Sequence, residues 1–597
     1  MKLYIANRSE IARRIMRSAH HMGIPTCVGF ARVDEDLPFV REASRAKLID
    51  CENARDAYLN SDVVIQTAKE MGATHLHPGY GFLSENANFV EKLLAEGLEF
   101  VGPRPESMRK LGDKIGSRRF LQTLSIPFLP SYEGDDQSMD RFKVEADRLG
   151  YPLLVKPSAG GGGKGMFRVK RAADLEEALE SSKRSSKASF NDDRIFLEKY
   201  VDPARHIEVQ ILADRFGNIH VLGERECSMQ RRHQKLIEET PCNFISKEIR
   251  AQIFEHSRNI AQAVQYESAG TVEWIWDGGD GIYFLEVNTR LQVEHTVTEA
   301  ITGIDLVDCQ LRVSQNEKLD NLNIESKGHS IEVRLCAEDP AKDFLPSGGK
   351  IHYLRLPEES LRVDFGYSEN NVIGSDFDSM LGKIISHGKD RQEAIDKLIE
   401  GLEALCVMGP TTNRAYLLQI LKSKAFKRGQ LSTRLVESFP YHFDVLEALR
   451  SFQNLQNDSN PLVEPGTEND LDLYSPWGKI GSRPFSGAWW MDFGDKRYFH
   501  LNFEDWSIAR PKKSISPGSS TNDAARLEKM IKSPMPSKII KILVSERQNV
   551  KKGEALIILE AMKMEHKIKC SHDTRVSKIF VTEGQQVPPD ENLIELE

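Results

Sequence analysis

Two stretches near the C-terminal end, Ser537–Glu560 and Thr574–Glu597, align without a gap, and 11 of 24 positions are identical. A repeat this short cannot bury its apolar face alone. Two copies can bury each other's, so the repeat predicts a quasi-two-fold β sandwich or flattened barrel. Between the copies lies Ala561-Met562-Lys563-Met564-Glu565, read as a hairpin turn. Turns favour polar residues, yet two methionines flank Lys563 at what should be a protruding tip.

A chain of 597 residues is too long for one hydrophobic core, so several domains are expected. Apolar content of 40% and charged content of 28% are those of an ordinary globular protein. A net charge of −9 without clustered Lys and Arg speaks against a nucleic-acid surface. The eight cysteines are scattered, with no C-x-x-C pair. That pattern speaks against zinc and a disulfide scaffold, and points to a reducing, cytoplasmic setting. No apolar run approaches the roughly 20 residues that span a membrane. Met1–Asn7 already reads as a strand followed by a helix from Ser9, so no cleaved leader is expected.

Residues 1 to about 110 alternate short apolar runs with amphipathic stretches, a βαβ pattern with a parallel sheet. Leu153–Lys156 and Met166–Lys170 read as strands around Gly160-Gly161-Gly162-Gly163-Lys164-Gly165. A dinucleotide fingerprint would need a helix after the glycines, and a Walker loop would need Ser or Thr after the lysine. What remains is a glycine hairpin whose N–H groups can close over phosphates, within a small α+β lid. Residues 206–300 read as mainly β, with hairpins at 214–217 and 277–281. Glu273 falls on one strand, and Glu286 and Asn288 share a face of the next. Hard oxygens on adjacent strands suit Mg²⁺ at nucleotide phosphates. Residues 450–470 and Pro511–Asn522 read as linkers around a Trp-rich β unit.

Several longer segments carry a family resemblance. Glu560-Ala561-Met562-Lys563-Met564 resembles the attachment motif of biotin carboxyl carrier domains, whereas lipoyl domains share the fold but usually lack the methionines. Glu286–His295 (EVNTRLQVEH) is close to the signature of biotin carboxylases of the ATP-grasp superfamily. His77–Asn86, Lys156–Ala159 and Glu226–Lys235 agree with it. Departures are Ser9 and Ser537, where glycine is usual, and Phe167, where a basic residue is usual.

The resemblance implies an α/β fold and seven segments. These are an N-terminal βαβ domain (1–112), an ATP-grasp domain (113–310) with a mobile lid at about 130–205, and a mixed C-terminal domain (311–445). A linker (446–473), the Trp-rich unit (474–510), a second linker (511–532) and a β-sandwich biotinyl domain (533–597) follow.

By the same resemblance, Lys114, Lys156 and the glycines 161–163 (Gly161, Gly162, Gly163) hold ATP phosphates. Glu198, Lys199 and His206, with Gln230 and His233 nearby, meet adenine and ribose. Glu273, Glu286 and Asn288 hold Mg²⁺ or Mn²⁺, and Lys235, Arg290, Gln292 and Val293 surround bicarbonate. Glu294 is the general base, Arg334 offsets the biotin enolate, and Lys563 carries biotin. The implied enzyme is a ligase, the α chain of an acyl-CoA carboxylase, which carboxylates biotin through carboxyphosphate. Its implied partners are a carboxyltransferase β subunit in a hetero-oligomer and a biotin protein ligase. The alternatives are a non-catalytic carrier or assembly subunit, or an α chain for another acceptor such as pyruvate. The acceptor itself is not legible, since its pocket would belong to the other subunit.

Overall fold

The computed structural model describes residues 1–158, 165–190, 192–320, 322–437, 439–441, 489–493, 496–501, 504–509, 530–533, 537–561, 564–588 and 591–597. The lid glycines, most of both linkers, half of the Trp-rich unit, and Met562 and Lys563 lie outside them. No helix among the described residues is long and apolar enough to cross a membrane.

The N-terminal part is a five-stranded sheet in the order Arg45–Ile49, Thr26–Ala31, Leu3–Ile5, His75–His77, Glu99–Phe100. Every pairing is parallel, and Thr26–Ala31 is buried at all positions, as a strand covered on both faces must be. Chain order reverses between Leu3–Ile5 and His75–His77, where α/β sheets open a crevice at the strands' carboxyl ends. The loops there are tied together: Asn7 Nδ2 donates to the carbonyls of Pro78 (2.7 Å) and Tyr80 (2.8 Å). Gly79 makes that contact possible. Its φ is +63°, and a Cβ there would meet Asn7 Nδ2 at 2.9 Å.

The lid is an antiparallel sheet in the order Ser131–Tyr132, Ile195–Lys199, Leu153–Pro157, Phe167–Val169, backed by the helix Leu175–Phe190. A larger, eight-stranded antiparallel sheet follows. Its order is Ile282–Asn288, Ser268–Trp276, Arg205–Ala213, Ile219–Arg231, Gln234–Thr240, His329–Cys336, Met380–Gly388, Arg362–Phe365. It runs without a break from ATP-grasp strands into C-terminal-domain strands, because Gln234–Thr240 pairs directly with His329–Cys336.

Two helices interrupt the stretch read as mainly β, Lys247–Ala263 and His295–Thr302. The first is capped by Ser246, which accepts from the Ile249 N–H, and it buries Ile249, Ile253 and Ile260 on one face.

The C-terminal unit bears out the repeat strand by strand. Ser537–Ile542, Asn549–Val550 and Ala555–Ala561 recur at the same offset as Thr574–Ile579, Gln586–Val587 and Asn592–Leu596. They form two four-stranded sheets, and the short middle strand of each copy pairs into the other copy's sheet. Matching residues fill the core: Leu556 with Leu593, Ile557 with Ile594, all wholly buried. Ala555–Ala561 and Met564–Lys569 are antiparallel, with Ala561 opposite Met564, so Lys563 lies in sequence between two hairpin strands. Met530–Lys532, within the segment read as linker, pairs with the last strand. The described part of the Trp-rich unit is a three-stranded antiparallel meander.

Ser9 explains why glycine is usual at its position. Its φ is +57°, the left-handed region, and its buried hydroxyl has no partner among the described residues. The hydroxyl is accommodated because residue 366 is glycine; a Cβ there would collide with Ser9 Oγ. Ser9→Gly should therefore stabilise the chain by about 1 kcal/mol. Gly366→Ala should destabilise it by about 1–3 kcal/mol, less so in the Ser9→Gly background. Denaturant unfolding of the three variants checks this; equal effects of Gly366→Ala in both backgrounds would contradict it.

Candidate active site

A row of charge crosses four strands of the large sheet. Glu286, Glu273, Glu208 and Arg225 stand opposite one another in register. Like charges directly opposed across strands repel, so three neighbouring carboxylates need cations. Lys235 Nζ supplies most of the compensation, at 2.6 Å from Glu208, 2.9 Å from Glu273 and 2.6 Å from Glu294. At the sheet edge Lys114 Nζ lies 3.0 Å from Glu286, and at the other end Arg225 Nε donates to Glu208.

Glu294 is wholly buried and begins the helix His295–Thr302, where the helix dipole favours a negative charge. Both of its oxygens are held, Oε1 by Lys235 and Oε2 by Arg334 Nη2 at 3.0 Å. Burial alone would push its pKa up. Lys235, then Arg334 and Arg225, outweigh that and keep it well below the ordinary carboxylate range. The same contacts, with Glu208 foremost, hold the Lys235 ammonium well above its usual value against the cost of burial. A carboxylate so firmly ionised accepts a proton only once Lys235 or Arg334 turns to another anion.

The other expected bicarbonate residues adjoin it. Gln292 Nε2 donates to Glu273 (3.1 Å), Arg290 donates to Gln292 (3.1 Å), Asn288 (3.1 Å) and Glu85 (3.0 Å), and the Val293 carbonyl accepts from Lys383 Nζ (2.5 Å).

On the lid side, Lys156 Nζ pairs with Glu198, which also accepts from Arg118 at 2.7 Å. His233 sits in a two-residue hairpin loop between Arg231 and Gln234. Both loop residues have positive φ (Arg232 +48°, His233 +66°), the geometry of a type I′ turn, here without glycine. Burial lowers the His233 pKa, and the charges of Lys156 and His206 lower it further. Gln230 Nε2 lies 3.4 Å from His206 Nδ1. Lys199 is not brought into this group. Its side chain, on the other face of the strand from Glu198, donates to the Gly150 carbonyl at 2.8 Å.

The residues expected to hold a metal are also together. Glu273 and Glu286 are cross-strand neighbours, and Asn288 Nδ2 donates to Glu273 at 2.8 Å. Carboxylate and amide oxygens from two adjacent strands fit a hard divalent cation, which would take over charge now met by Lys114 and Lys235. Donor atoms of His206, Glu208 and Glu273 also lie within 4.8 Å of one another.

Sequence reading passed over Glu208, Arg225, Arg118 and Lys383. Glu208 carried a usable signal, since it shares its strand face with His206; the others are set by tertiary packing.

Residues 1–108 match the family described as "Biotin carboxylase, N-terminal domain", and 113–322 match "Carbamoyl-phosphate synthase L chain, ATP binding domain". Residues 332–438 match "Biotin carboxylase C-terminal domain", and 529–596 match "Biotin-requiring enzyme". The chain belongs to the biotin carboxylase family and carries a biotin-requiring domain on the same polypeptide. The α subunit of the Dictyostelium discoideum methylcrotonoyl-CoA carboxylase is 34% identical to it, over 94% of this chain and 91% of that protein. The rice (Oryza sativa subsp. japonica) α subunit of the same name is 42% identical over 73% of this chain, which spans 60% of that relative's length. The biotin carboxylase domain of Hydrogenobacter thermophilus 2-oxoglutarate carboxylase, solved with MgADP, ADP and bicarbonate, superposes with a TM-score of 0.72. That domain is 36% identical, over 74% of this chain and 99% of that one.

Removing Lys235 should leave three buried carboxylates short of a partner. Lys235→Met is expected to cost about 3–5 kcal/mol in denaturant unfolding, and Lys235→Met/Glu294→Gln to recover part of that. Strictly additive losses would contradict the charge balance described.

Proposed function

We propose that this chain uses ATP and bicarbonate to carboxylate biotin on Lys563, and that a separate carboxyltransferase subunit passes the carboxyl group to an acyl-CoA. The observation that carries the reading is Glu294, a buried carboxylate held ionised between Lys235 and Arg334 beside the Glu273–Glu286 pair.

In this reading Lys235 and Arg290, with Gln292 and the Val293 backbone, receive bicarbonate. As Lys235 turns toward that anion, Glu294 becomes basic enough to take the hydroxyl proton. Lys114 and Lys156 steady the ATP phosphates, while His206, Gln230, His233 and Glu198 border the nucleoside. Glu273, Glu286 and Asn288 would hold the divalent cations, which when bound neutralise the transferring phosphoryl group. Arg334 then moves from Glu294 to offset the negative charge that develops on the biotin ring as its N1 proton leaves. A closed lid would limit loss of the activated carboxyl group to water.

The carrier reading rests on Lys563 between two hairpin strands of a duplicated β unit, within a segment that matches biotin-requiring domains. A biotin protein ligase would attach the group. The likeness to methylcrotonoyl-CoA carboxylase α subunits makes a branched or short acyl-CoA of that kind the proposed acceptor, delivered by a β subunit in a hetero-oligomer. Eight free thiols accord with a reducing compartment, the cytosol in this reading.

Lys563→Arg is the test. ATP cleavage stimulated by free biotin should stay within about twofold of the parent, since the site is untouched. Carboxylation of methylcrotonoyl-CoA by the purified complex should be lost. Retained acyl-CoA carboxylation would refute the carrier assignment, and no biotin-stimulated ATP cleavage in the folded parent would refute the enzyme.

A further inference from the structure

Behind Arg334 lie two carboxyl groups that nothing above employs. Glu238 and Glu332 face each other in direct register across Gln234–Thr240 and His329–Cys336, and both are wholly buried. One oxygen of each is engaged: Glu238 Oε1 accepts from Arg334 Nε at 2.6 Å, and Glu332 Oε2 accepts from Thr296 Oγ1. The second oxygen of each, Glu238 Oε2 and Glu332 Oε1, has no hydrogen-bond partner among the described residues. Directly opposed residues have Cβ atoms about 5 Å apart, within reach of a carboxyl–carboxyl hydrogen bond.

Two ionised carboxylates in this position would repel each other and leave two buried acceptors unmet. A single proton between them removes both penalties. We propose that Glu238 and Glu332 share one proton as an acid–carboxylate pair, and that its single negative charge positions Arg334 for the biotin ring. The inference rests on the role of Arg334 proposed above.

The surroundings agree. Facing Glu238 are Arg334, Glu294 and Lys235, and facing Glu332 are Lys383 and Arg334, with Glu10 beyond Lys383. His295, next to Thr296, is kept neutral by burial. Burial pushes Glu238 up to about 7, against the pull of Arg334, and pushes Glu332 well above the carboxylate range, against the pull of Lys383.

The shared proton has a consequence for Arg334. With one proton on the pair, Arg334 has one full counter-charge on its Nε side and can exchange Glu294 for substrate at Nη2. Loss of that proton as pH rises adds a second negative charge and holds Arg334 back. The biotin-dependent step then falls on the alkaline side, while bicarbonate-dependent ATP cleavage without biotin, which uses Lys235, does not fall with it.

Glu332→Gln supplies a permanently uncharged partner and is the decisive variant. With the full biotinylated chain and free biotin, it should keep the neutral-pH rate within about threefold and lose the alkaline fall. Glu238→Gln should raise the KM for free biotin about tenfold and change ATP cleavage without biotin far less. Infrared difference spectra should contain a protonated-carboxyl band near neutral pH that each variant removes. An alkaline fall that persists in Glu332→Gln, or a band insensitive to both substitutions, would overturn the proposal. If Glu238→Gln does not fold, Glu332→Gln decides alone. A parent that shows the band but no biotin-stimulated ATP cleavage would refute the enzyme reading and leave the pair standing.

Discussion

The ammonium of Lys235 is the contact on which the site depends. The large sheet sets Glu286, Glu273 and Glu208 side by side, an arrangement that strand pairing alone opposes. Lys235 meets two of them and adds Glu294 from a helix start. Its placement depends on the tight Arg232–His233 turn, which brings Gln234–Thr240 back beside Ile219–Arg231. One local feature of the chain therefore fixes both the His233 backbone in its positive-φ turn and the strand that carries the central cation.

The eight-stranded sheet explains how two halves of the site stay in register. Lys235 comes from a strand of the ATP-grasp part and Arg334 from a strand of the C-terminal part, yet these strands are hydrogen-bonded neighbours. Glu294 bridges the two cations with its two oxygens. The division into domains that the resemblance implies puts a boundary between them, whereas the backbone ladder joins them in one continuous sheet. The C-terminal β unit solves a different problem. Its two copies exchange their short middle strands, so neither copy keeps a sheet of its own. Such an exchange closes the core around Leu556, Ile557, Leu593 and Ile594.

Much of this was legible in the sequence, and the limits have physical causes. The repeat predicted the C-terminal fold because duplication leaves a residue-by-residue trace. Strand alternation set Glu286 and Asn288 on one face, and the hairpins around 214–217 and 277–281 were marked by Asp and Gly. Lys247–Ala263 escaped because its apolar face is carried by isoleucines spaced among charged residues, a weak periodic signal in a stretch of strong β patterns. Glu238, Arg225 and Lys383 escaped because lone charges on strands are usually solvated; only the packing of neighbouring strands buries them. Lys199 shows the reverse case. A motif placed it in the site, but the two-residue period of its strand turns the side chain to the Gly150 carbonyl.

Activation of bicarbonate by Glu294 is the proposed step on which the others depend. The direct measurement is transfer of labelled bicarbonate onto the Lys563 peptide of the biotinylated chain, with ATP and Mg²⁺, in the parent and in Glu294→Gln. The parent should take up label only when ATP is present, and Glu294→Gln should do so about 100-fold more slowly or worse. Labelling at the same rate in a folded Glu294→Gln chain, or label on the parent without ATP, would contradict it.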